Sequence, residues 1–442
     1  MPRVWPSINI LERQAVADAT AEEAARVEAI SAAWDAYYGR FPKPLRVRAG
    51  QADDNVSVNY CRAVVDKGVS FLFGQDVRFE LDETEQTAEE EWLQECWRAN
   101  RGMVTLQKLA LSGAIAGHAF AKIVPARPLP RVVVLDPASV RVHWDPEDLD
   151  TVVQYIIQYS TIDHRTDRVV AFRQRIERQD NGRWRIVDEV SQSGGAWRTR
   201  ADTAWPWTWP PILDCQNLPN PNEYWGISDL EEDVIGLNRS INFVLSNVNR
   251  IIRFHAHPKT WGRGFTASQL NVGIDETIVL PSADAELHNL EMQSDLGSSI
   301  ALYERLREAL HQVTRVPEVA TGKLDNAGAL SGVALHILYQ PLIEKTETKR
   351  RTYGELVTEL NRRMLALAGF GEEHHTVIHW PELIPTDPFQ EAQAAVLYQQ
   401  LGVSSDTLLQ RLGFDPDLER EKRQVSSADL GEAMLTAFER GE

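Results

Sequence analysis

A strict heptad of apolar residues between positions 230 and 251 is the sequence feature that most constrains the fold. This period of about 3.5 residues is that of an α-helix packed lengthwise against other helices. Ser228 and Glu231 have the spacing of a helix capping box, and Pro258 ends the pattern. The sequence therefore predicts one helix of roughly 40 Å. The apolar positions follow one another in steps of 4, 3, 4, 3, 4 and 3: Leu230, Val234, Leu237, Ile241, Val244, Val248 and Ile251.

The other face of this helix is polar yet nearly uncharged. Solvated helix faces usually carry Lys and Glu, so a neutral polar face is unusual, and the sequence assigns it no partner. Its residues are Asn238, Ser240, Asn242, Ser246, Asn247 and Asn249.

The region after this helix predicts a stalk with a tip. A compact insert at 255–293 precedes a second helix at 294–316, which Pro317 ends. A long helix follows from 331 to about 367, and Pro341 predicts a kink in it. The stripe of the second helix is predicted to be Ile300, Tyr303, Leu306, Leu310 and Val313.

The remaining sequence mixes helix and strand patterns. Residues 12–38, 56–68 and 87–99 read as helices, whereas 131–200 is rich in β-branched residues. Within that region Asn181-Gly182 separates two alternating runs, which indicates a β-hairpin. A Pro/Trp stretch at 205–211 is either a docking surface or the packed connector that its composition favours. Shorter helices are predicted at 390–401, 405–412 and 416–424. The sequence therefore predicts an α+β, multidomain protein.

The amino-acid composition narrows the class of protein to which the chain can belong. The chain has 442 residues, 43% of them apolar and 25% charged, as in ordinary globular proteins. Three distant cysteines indicate no disulfide framework and fit a reducing compartment. No signal peptide or membrane span is expected, because no apolar run reaches the necessary length. The net charge of −18 argues against tight general binding to nucleic acid, although it leaves DNA free to move past the protein.

The search for catalytic motifs yields no strong candidate. Gly322-Lys323 begins like a phosphate-binding loop, but Leu324 replaces the required Ser or Thr and no glycine lies at the upstream position. His374, His375 and His379 are the best candidate metal ligands, yet surface histidines are the favoured interpretation because no third ligand points with them. We therefore expect no catalytic residue, metal or cofactor.

The order of several segments resembles the portal proteins of tailed bacteriophages, which form the head–tail connector. The matching segments cover most of the chain, and their order is more specific than any one of them. They are NYCRAVVDKGVSFLFGQDVRFE (59–80), LALSGAIAGHAFAKI (109–123), VVVLDPASVRVHWD (132–145), YWGISDLEEDVIGLNRSINFVLSNVN (224–249), LSGVALHILYQPLIEKTE (330–347) and GVSSDTLLQRLGFDPDLEREKR (402–423).

The resemblance implies a portal-type fold and a ring, normally of twelve subunits, in which the heptad would pack adjacent helices. It divides the chain into a mixed α/β wing, two stem helices, a small clip and a helical crown. The corresponding ranges are 1–226 for the wing, 227–254 and 294–316 for the stem, 255–293 for the clip, 317–330 for a tunnel loop, 331–388 for the long helix and return to the wing, and 389–442 for the crown.

The resemblance also implies a conduit for double-stranded DNA during packaging and ejection. The implied partners are the terminase large subunit, capsid and scaffolding proteins and a head–tail adaptor, with no membrane. The implied location is the portal vertex of the virion, after assembly in the host cytoplasm. The small residues of the tunnel loop give it freedom to follow moving DNA. The loop residues facing DNA would be Thr321, Gly322, Lys323, Leu324, Asp325, Asn326, Ala327 and Gly328.

A cluster of basic residues near the junction of stem and clip has two open interpretations. It either forms a basic ring that contacts DNA or supplies salt bridges between stem helices. Two other classes of protein also remain: an intracellular helical scaffold without DNA translocation, and an enzyme with an unrecognised carboxylate site. The basic residues are Arg250, Arg253, Lys259 and Arg263.

Overall fold

The computed structural model shows an α+β protein that divides into two compact units. One unit holds residues 1–325 and 338–381, and the other holds 326–337 and 382–442. The residues that the structure describes are 8–50, 52–81, 87–192, 194–256, 259–264, 284–290, 296–321, 332–384, 388–411, 416, 419–420 and 422.

The secondary structure follows the predicted alternation of helix-rich and strand-rich regions. The helices are α1 (Ile8–Tyr37), α2 (Tyr60–Phe73), α3 (Ala88–Ala99), α4 (Gly102–Ala116), α5 (Glu232–Ala256), α6 (Leu296–Thr314), α7 (Gly332–Ala368), α8 (Pro388–Gln400) and α9 (Ser405–Arg411). The strands are β1 (Arg78–Leu81), β2 (His118–Val124), β3 (Arg131–Leu135), β4 (Val140–Asp145), β5 (Asp148–Asp163), β6 (Arg168–Arg178), β7 (Trp184–Gln192), β8 (Arg198–Trp205), β9 (Ile212–Gln216), β10 (Lys259–Arg263), β11 (Glu286–Leu290) and β12 (Thr376–His379).

Two antiparallel sheets form the strand-rich region. Strands β4 to β8 make a five-stranded meander, and β2 lies between β3 and β9 in a second sheet. Phe120 and Ile212 of the smaller sheet share a buried core with Tyr155, Ile176 and Trp184 of the meander. This packing buries one face of the meander, and the other face carries the charged side chains of Arg175, Glu177 and Glu189, which form ion pairs.

The hairpin predicted at Asn181-Gly182 is confirmed. It joins β6 to β7, and Gly182 has a φ of 77°, a conformation that glycine adopts without steric cost. The Pro/Trp stretch after β8 is a packed connector, because Trp205 and Trp209 are buried and the indole of Trp205 donates to the carbonyl of Trp209 at 2.8 Å.

The long helix α7 organises the largest core. Tyr353, Leu360 and Met364 of α7 are fully or almost fully buried, together with Trp97 of α3 and Leu106 of α4. Pro341 lies inside α7, where its ring nitrogen has no hydrogen to donate to the preceding turn. α7 therefore serves as the element against which the surrounding helices of this unit pack.

The heptad of α5 is buried within the chain itself. Leu230 and Val234 pack with residues of α1, α2 and α4, and Ile241 packs against Val64 and Leu310. The adjacent helices that the heptad was expected to pack are, for Leu230, Val234 and Ile241, helices of the same chain. A period of 3.5 predicts that a helix packs lengthwise but does not identify its partner.

One local prediction around the stalk was wrong, and a second was correct in part. The hydroxyl of Ser228 donates to the carbonyl of Ile115 at 2.7 Å and accepts from the N–H of Leu230, while α5 begins only at Glu232, so no capping box forms. On α6, Tyr303, Leu306 and Leu310 of the predicted stripe pack into a core with Ile241. Ile300 and Val313 of the same stripe are about half exposed.

The helix predicted at 56–68 begins later than the sequence suggests. Residues 54–59 belong to no helix or strand, and α2 starts at Tyr60 with the side chain of Asn59 accepting from the N–H of Arg62. We call the segment of residues 54–61 the strap. Its β-branched Val56 and Val58 favour an extended backbone, which α5 then holds.

The second unit contains α8 and α9, which match two of the short helices predicted after residue 389. Most of the third, predicted at 416–424, lies outside the described residues.

Candidate functional site

The neutral polar face of α5 binds the backbone of the strap. The side-chain oxygen of Asn238 accepts from the N–H groups of Tyr60 and Cys61, at 2.8 and 3.1 Å, and its amide donates to the carbonyl of Val58 at 2.8 Å. One turn later, Asn242 accepts from the N–H of Val58 at 2.8 Å. We call this set of contacts, with those of Ser246 and Asn249 described next, the amide ladder.

The amide ladder continues along the helix with the same register. Ser246 accepts from the N–H of Val56 at 2.9 Å, and Asn249 donates to the carbonyl of Asp54 at 3.0 Å. Four residues of an α-helix rise about 6 Å, and two residues of an extended chain rise about 6.7 Å. Because these rises are close, α5 residues spaced by 4, 4 and 3 positions meet every second residue of the strap. The partner that the sequence did not assign to this face is thus the backbone of the strap.

The strap also supplies the carboxylate that pairs with two of the predicted basic residues. Arg253 lies 2.6 Å and Arg250 3.3 Å from the same carboxylate oxygen of Asp54. The side chain of Asp54 is 4% exposed, whereas those of Arg250 and Arg253 are 35% and 36% exposed. Both arginines are therefore paired within one chain and still face solvent.

The other two predicted basic residues lie on the β10–β11 hairpin. Arg263 pairs with Glu286 at 2.6 Å across the hairpin, and both side chains are exposed. Lys259 is the first residue of β10, opposite Leu290. The stacked rings of Trp261 and His288 lie between these two positions. The hairpin begins at Lys259, three positions after Ala256, where α5 ends.

The predicted tunnel loop lies almost entirely outside the described residues. Thr321 is the last residue of a short 3-10 turn, Glu318–Thr321, and the positions from Gly322 to Gly328 are not described. The turn is fastened to α6, because Arg307 pairs with Glu318 at 2.9 Å and the Nδ1 of His311 lies 2.7 Å from the carbonyl of Val316.

A buried ionic cluster lies beside the last residue of α6, the helix that precedes this loop. The carboxylate of Asp229 lies 2.5 Å from the ammonium of Lys349 and 3.1 Å from that of Lys345, and all three side chains are buried. Lys345 also donates to the carbonyl of Thr314, the last residue of α6, at 3.0 Å. The cluster therefore joins the segment before α5, the end of α6 and the middle of α7.

Burial and pairing act in opposite directions on the titration of this cluster. Burial by itself raises the pKa of Asp229, but the attraction of Lys349 and Lys345 outweighs it and lowers the pKa to about 2. Burial also lowers the pKa of Lys349, and the Asp229 carboxylate opposes this shift. Asn217 donates to Asp229 at 3.3 Å and accepts from the hydroxyl of Tyr353 at 3.2 Å, so the cluster extends into the core around α7.

A second buried carboxylate, Asp214 on β9, was not anticipated from the sequence. It accepts from the hydroxyls of Tyr155 and Tyr224, at 2.8 and 2.5 Å, and lies 2.9 Å from the Nε2 of His118. Burial and the neighbouring carboxylate raise the pKa values of both tyrosines well above their usual range. The group joins both sheets to the segment before α5.

The candidate metal ligands do not converge. The ring of His374 lies 3.1 Å from the carbonyl of Phe370, and His379 pairs with Glu80 on the neighbouring strand at 2.8 Å. Within the described ranges, no group of three His, Cys, Asp or Glu side chains is arranged to hold a metal ion. In the same ranges, no helix combines the length and the apolar character needed to cross a membrane.

The sequence matches one protein family over most of its length. The model of the family described as phage portal protein, SPP1 Gp6-like, matches residues 20–429, and the chain belongs to this family. It is therefore a structural protein of the phage head–tail connector, which assembles as a ring at the capsid vertex.

The other comparisons add little. No curated protein matches the chain significantly. One chain of a solved structure, described as "Neck of empty GTA particle computed with C6 symmetry", is similar with 14% sequence identity and a TM-score of 0.45. The similarity covers 84% of this chain and 96% of that chain.

Proposed function

We propose that the chain forms the ring through which double-stranded DNA passes during packaging and ejection. The observation that carries this proposal, beyond family membership, is the joint anchoring of the elements around the loop. Lys345 binds both Asp229 and the end of α6, and α7 follows the loop directly. A loop that contacts moving DNA needs such a rigid base.

The proposed division of the chain follows the family. In it, α5 and α6 are the stem, the β10–β11 hairpin belongs to the clip, and the strand-rich region belongs to the wing. The clip would dock the terminase large subunit and later a head–tail adaptor, while the wing would meet capsid and scaffolding proteins during assembly in the host cytoplasm. Residues 389–442 would form the crown.

The stem helices expose apolar side chains suited to contacts between subunits. Phe243 lies on the face of α5 turned away from the buried heptad and is 50% exposed. On α6, Ile300, Leu302 and Val313 are about half exposed. A ring requires two different surfaces that meet head to tail, and we assign Phe243 to one of them and these residues of α6 to the other.

The tunnel loop would face the DNA. Its glycines and alanines permit movement, Lys323 and Asn326 would contact phosphate weakly, and Asp325 would oppose tight binding. The four basic residues at the end of α5 and on β10 would contribute a weakly basic ring nearby.

Native mass spectrometry of the purified chain, with negative-stain images, tests the proposal first. A ring near twelve subunits with an open axial hole supports it. If the protein stays a monomer and neither scaffolding protein nor proheads make it assemble, the proposed DNA conduit is wrong. A helical scaffold protein would then be the favoured function. In a ring-forming preparation, replacing residues 322–328 by a Gly/Ser segment of equal length should lower DNA packaging while the ring persists. Unchanged packaging would remove the loop from the proposal.

A further inference from the structure

Two arginines of α5 share a single carboxylate, and the carboxylate is the buried partner. Arg250 and Arg253 reach the same oxygen of Asp54, which is almost inaccessible to solvent. One carboxylate against two guanidinium groups leaves a local charge of +1. The solvent-facing parts of both arginines are therefore positive, although some of their N–H donors are occupied.

Asp54 is fixed where it is by the rest of the strap. Asn249 holds its carbonyl at 3.0 Å, and Ser246 and Asn242 hold the next two positions of the ladder. These hydrogen bonds fix the backbone at Asp54, and burial together with the two arginines holds its carboxylate. Its pairing with the arginines is thus a lasting feature of the fold.

We propose that Asp54 limits the affinity of the Arg250–Arg253 pair for the phosphates of a double-stranded DNA backbone. The inference rests on the proposed function, because it assigns the pair a DNA contact. Asp54 accepts from the Nε of Arg250 and from one terminal nitrogen of Arg253, and its negative charge offsets one of their two positive charges. A phosphate at this pair is therefore attracted by a smaller charge than two unpaired guanidinium groups would present. A conduit benefits from this arrangement, because phosphate bound tightly at each subunit would retard the moving DNA.

The test is a double-mutant cycle on DNA binding. The probe is a short fluorescein-labelled DNA duplex at low salt, followed by anisotropy with the full chain. Asp54→Asn keeps the shape and one acceptor of the side chain but removes its charge. We expect it to tighten binding about fivefold and to steepen the dependence on salt by about one phosphate contact. Adding Arg253→Gln to Asp54→Asn should cancel this gain in DNA affinity. Arg253→Gln by itself should change the affinity less than it does in the presence of Asp54→Asn.

A matched control separates a local site from a change in net charge. Asp202→Asn also removes one negative charge and frees Arg185, on the exposed face of the β7–β8 pair. An equal gain from Asp202→Asn would overturn the inference, as would no gain from Asp54→Asn. Circular dichroism and a melting curve verify folding, and Asp54→Ser serves if the asparagine variant is unfolded.

The failure of this inference is distinguishable from the failure of the proposed function. If wild-type protein forms the ring but Asp54→Asn gains no DNA affinity, the proposed role of Asp54 is wrong and the proposed function stands. If wild-type protein forms no ring under any condition, the proposed DNA conduit is wrong, whatever DNA affinity the anisotropy gives.

Discussion

Asn238 of α5 and Tyr60 of the strap are 178 positions apart in the sequence, yet the Asn238 side chain accepts the backbone N–H of Tyr60 at 2.8 Å. The same side chain binds Cys61 and Val58 and is fully buried. One asparagine thus satisfies three backbone groups at the point where the strap becomes α2. Because such groups are costly to bury unpaired, this contact fixes how the strap joins the stem helix.

Replacing Asn238 by Ala should destabilise the protein substantially. Three buried backbone groups would lose their partner, and we expect a loss of about 2–4 kcal/mol. The measurement is a chemical denaturation curve. Asn247→Ala is the control on the same helix, because the Asn247 side chain has no hydrogen bond within the described part of the chain. Equal midpoints for the two variants would contradict the structural role of the ladder.

Replacing Lys349 by Met should also destabilise the protein, by about 3 kcal/mol, since it leaves the buried Asp229 carboxylate with Lys345 as its one remaining cation. Adding Asp229→Asn should recover part of this loss, because the uncompensated charge is then absent. Thermal denaturation of the three variants measures the difference. A double variant less stable than the sum of both single variants would contradict the pairing.

Asp229 predicts a specific loss of stability in acid. Its pKa is about 2 in the folded protein, below the usual value of 3.8, so the folded state binds this proton less readily than the unfolded chain. The stabilisation is fully present above about pH 4 and is lost as the pH falls toward 2, by about 2.5 kcal/mol in total. Urea denaturation from pH 5 to 2 should show a shallower decline for Asp229→Asn than for wild type. Parallel curves would contradict the assignment.

The three cysteines should not react in the folded protein. Burial raises the pKa of Cys61 to about 12 and that of Cys96 to about 11, and it raises the pKa of Cys215 well above its usual range. The thiolate is the reactive form, so its population at pH 8 is very small. A thiol-reactive chromophore should detect almost no thiol in native protein and all three in urea. Rapid reaction in native protein would show that one of these sites opens.

Phe243→Glu should prevent ring assembly without unfolding the subunit. The side chain is half exposed on the free face of α5, so a carboxylate is tolerated in the monomer but not in an apolar contact between subunits. Native mass spectrometry measures the oligomer. Val104→Glu, at a residue of α4 with similar exposure, is the control and should still assemble. Rings formed equally well by both variants would exclude Phe243 from the interface.

The sequence by itself determined the α5 helix, the strand-rich region and the hairpin at Asn181-Gly182. Each depends on local periodicity or turn chemistry, which act within a few residues. The order of motifs also identified the portal family correctly. The sequence even marked the neutral face of α5 as unusual, although it named no partner for it.

Only the tertiary structure decided what each face contacts. The heptad is buried against α2, α4 and α6 of its own chain, Asp54 pairs with Arg250 and Arg253, and Asp229 joins Lys345 and Lys349. Except in the α5–α6 contacts, these partners are separated by more than a hundred positions in the sequence. No local pattern encodes such pairings, because the same amide, carboxylate or ammonium groups would be equally satisfied by water until the chain folds.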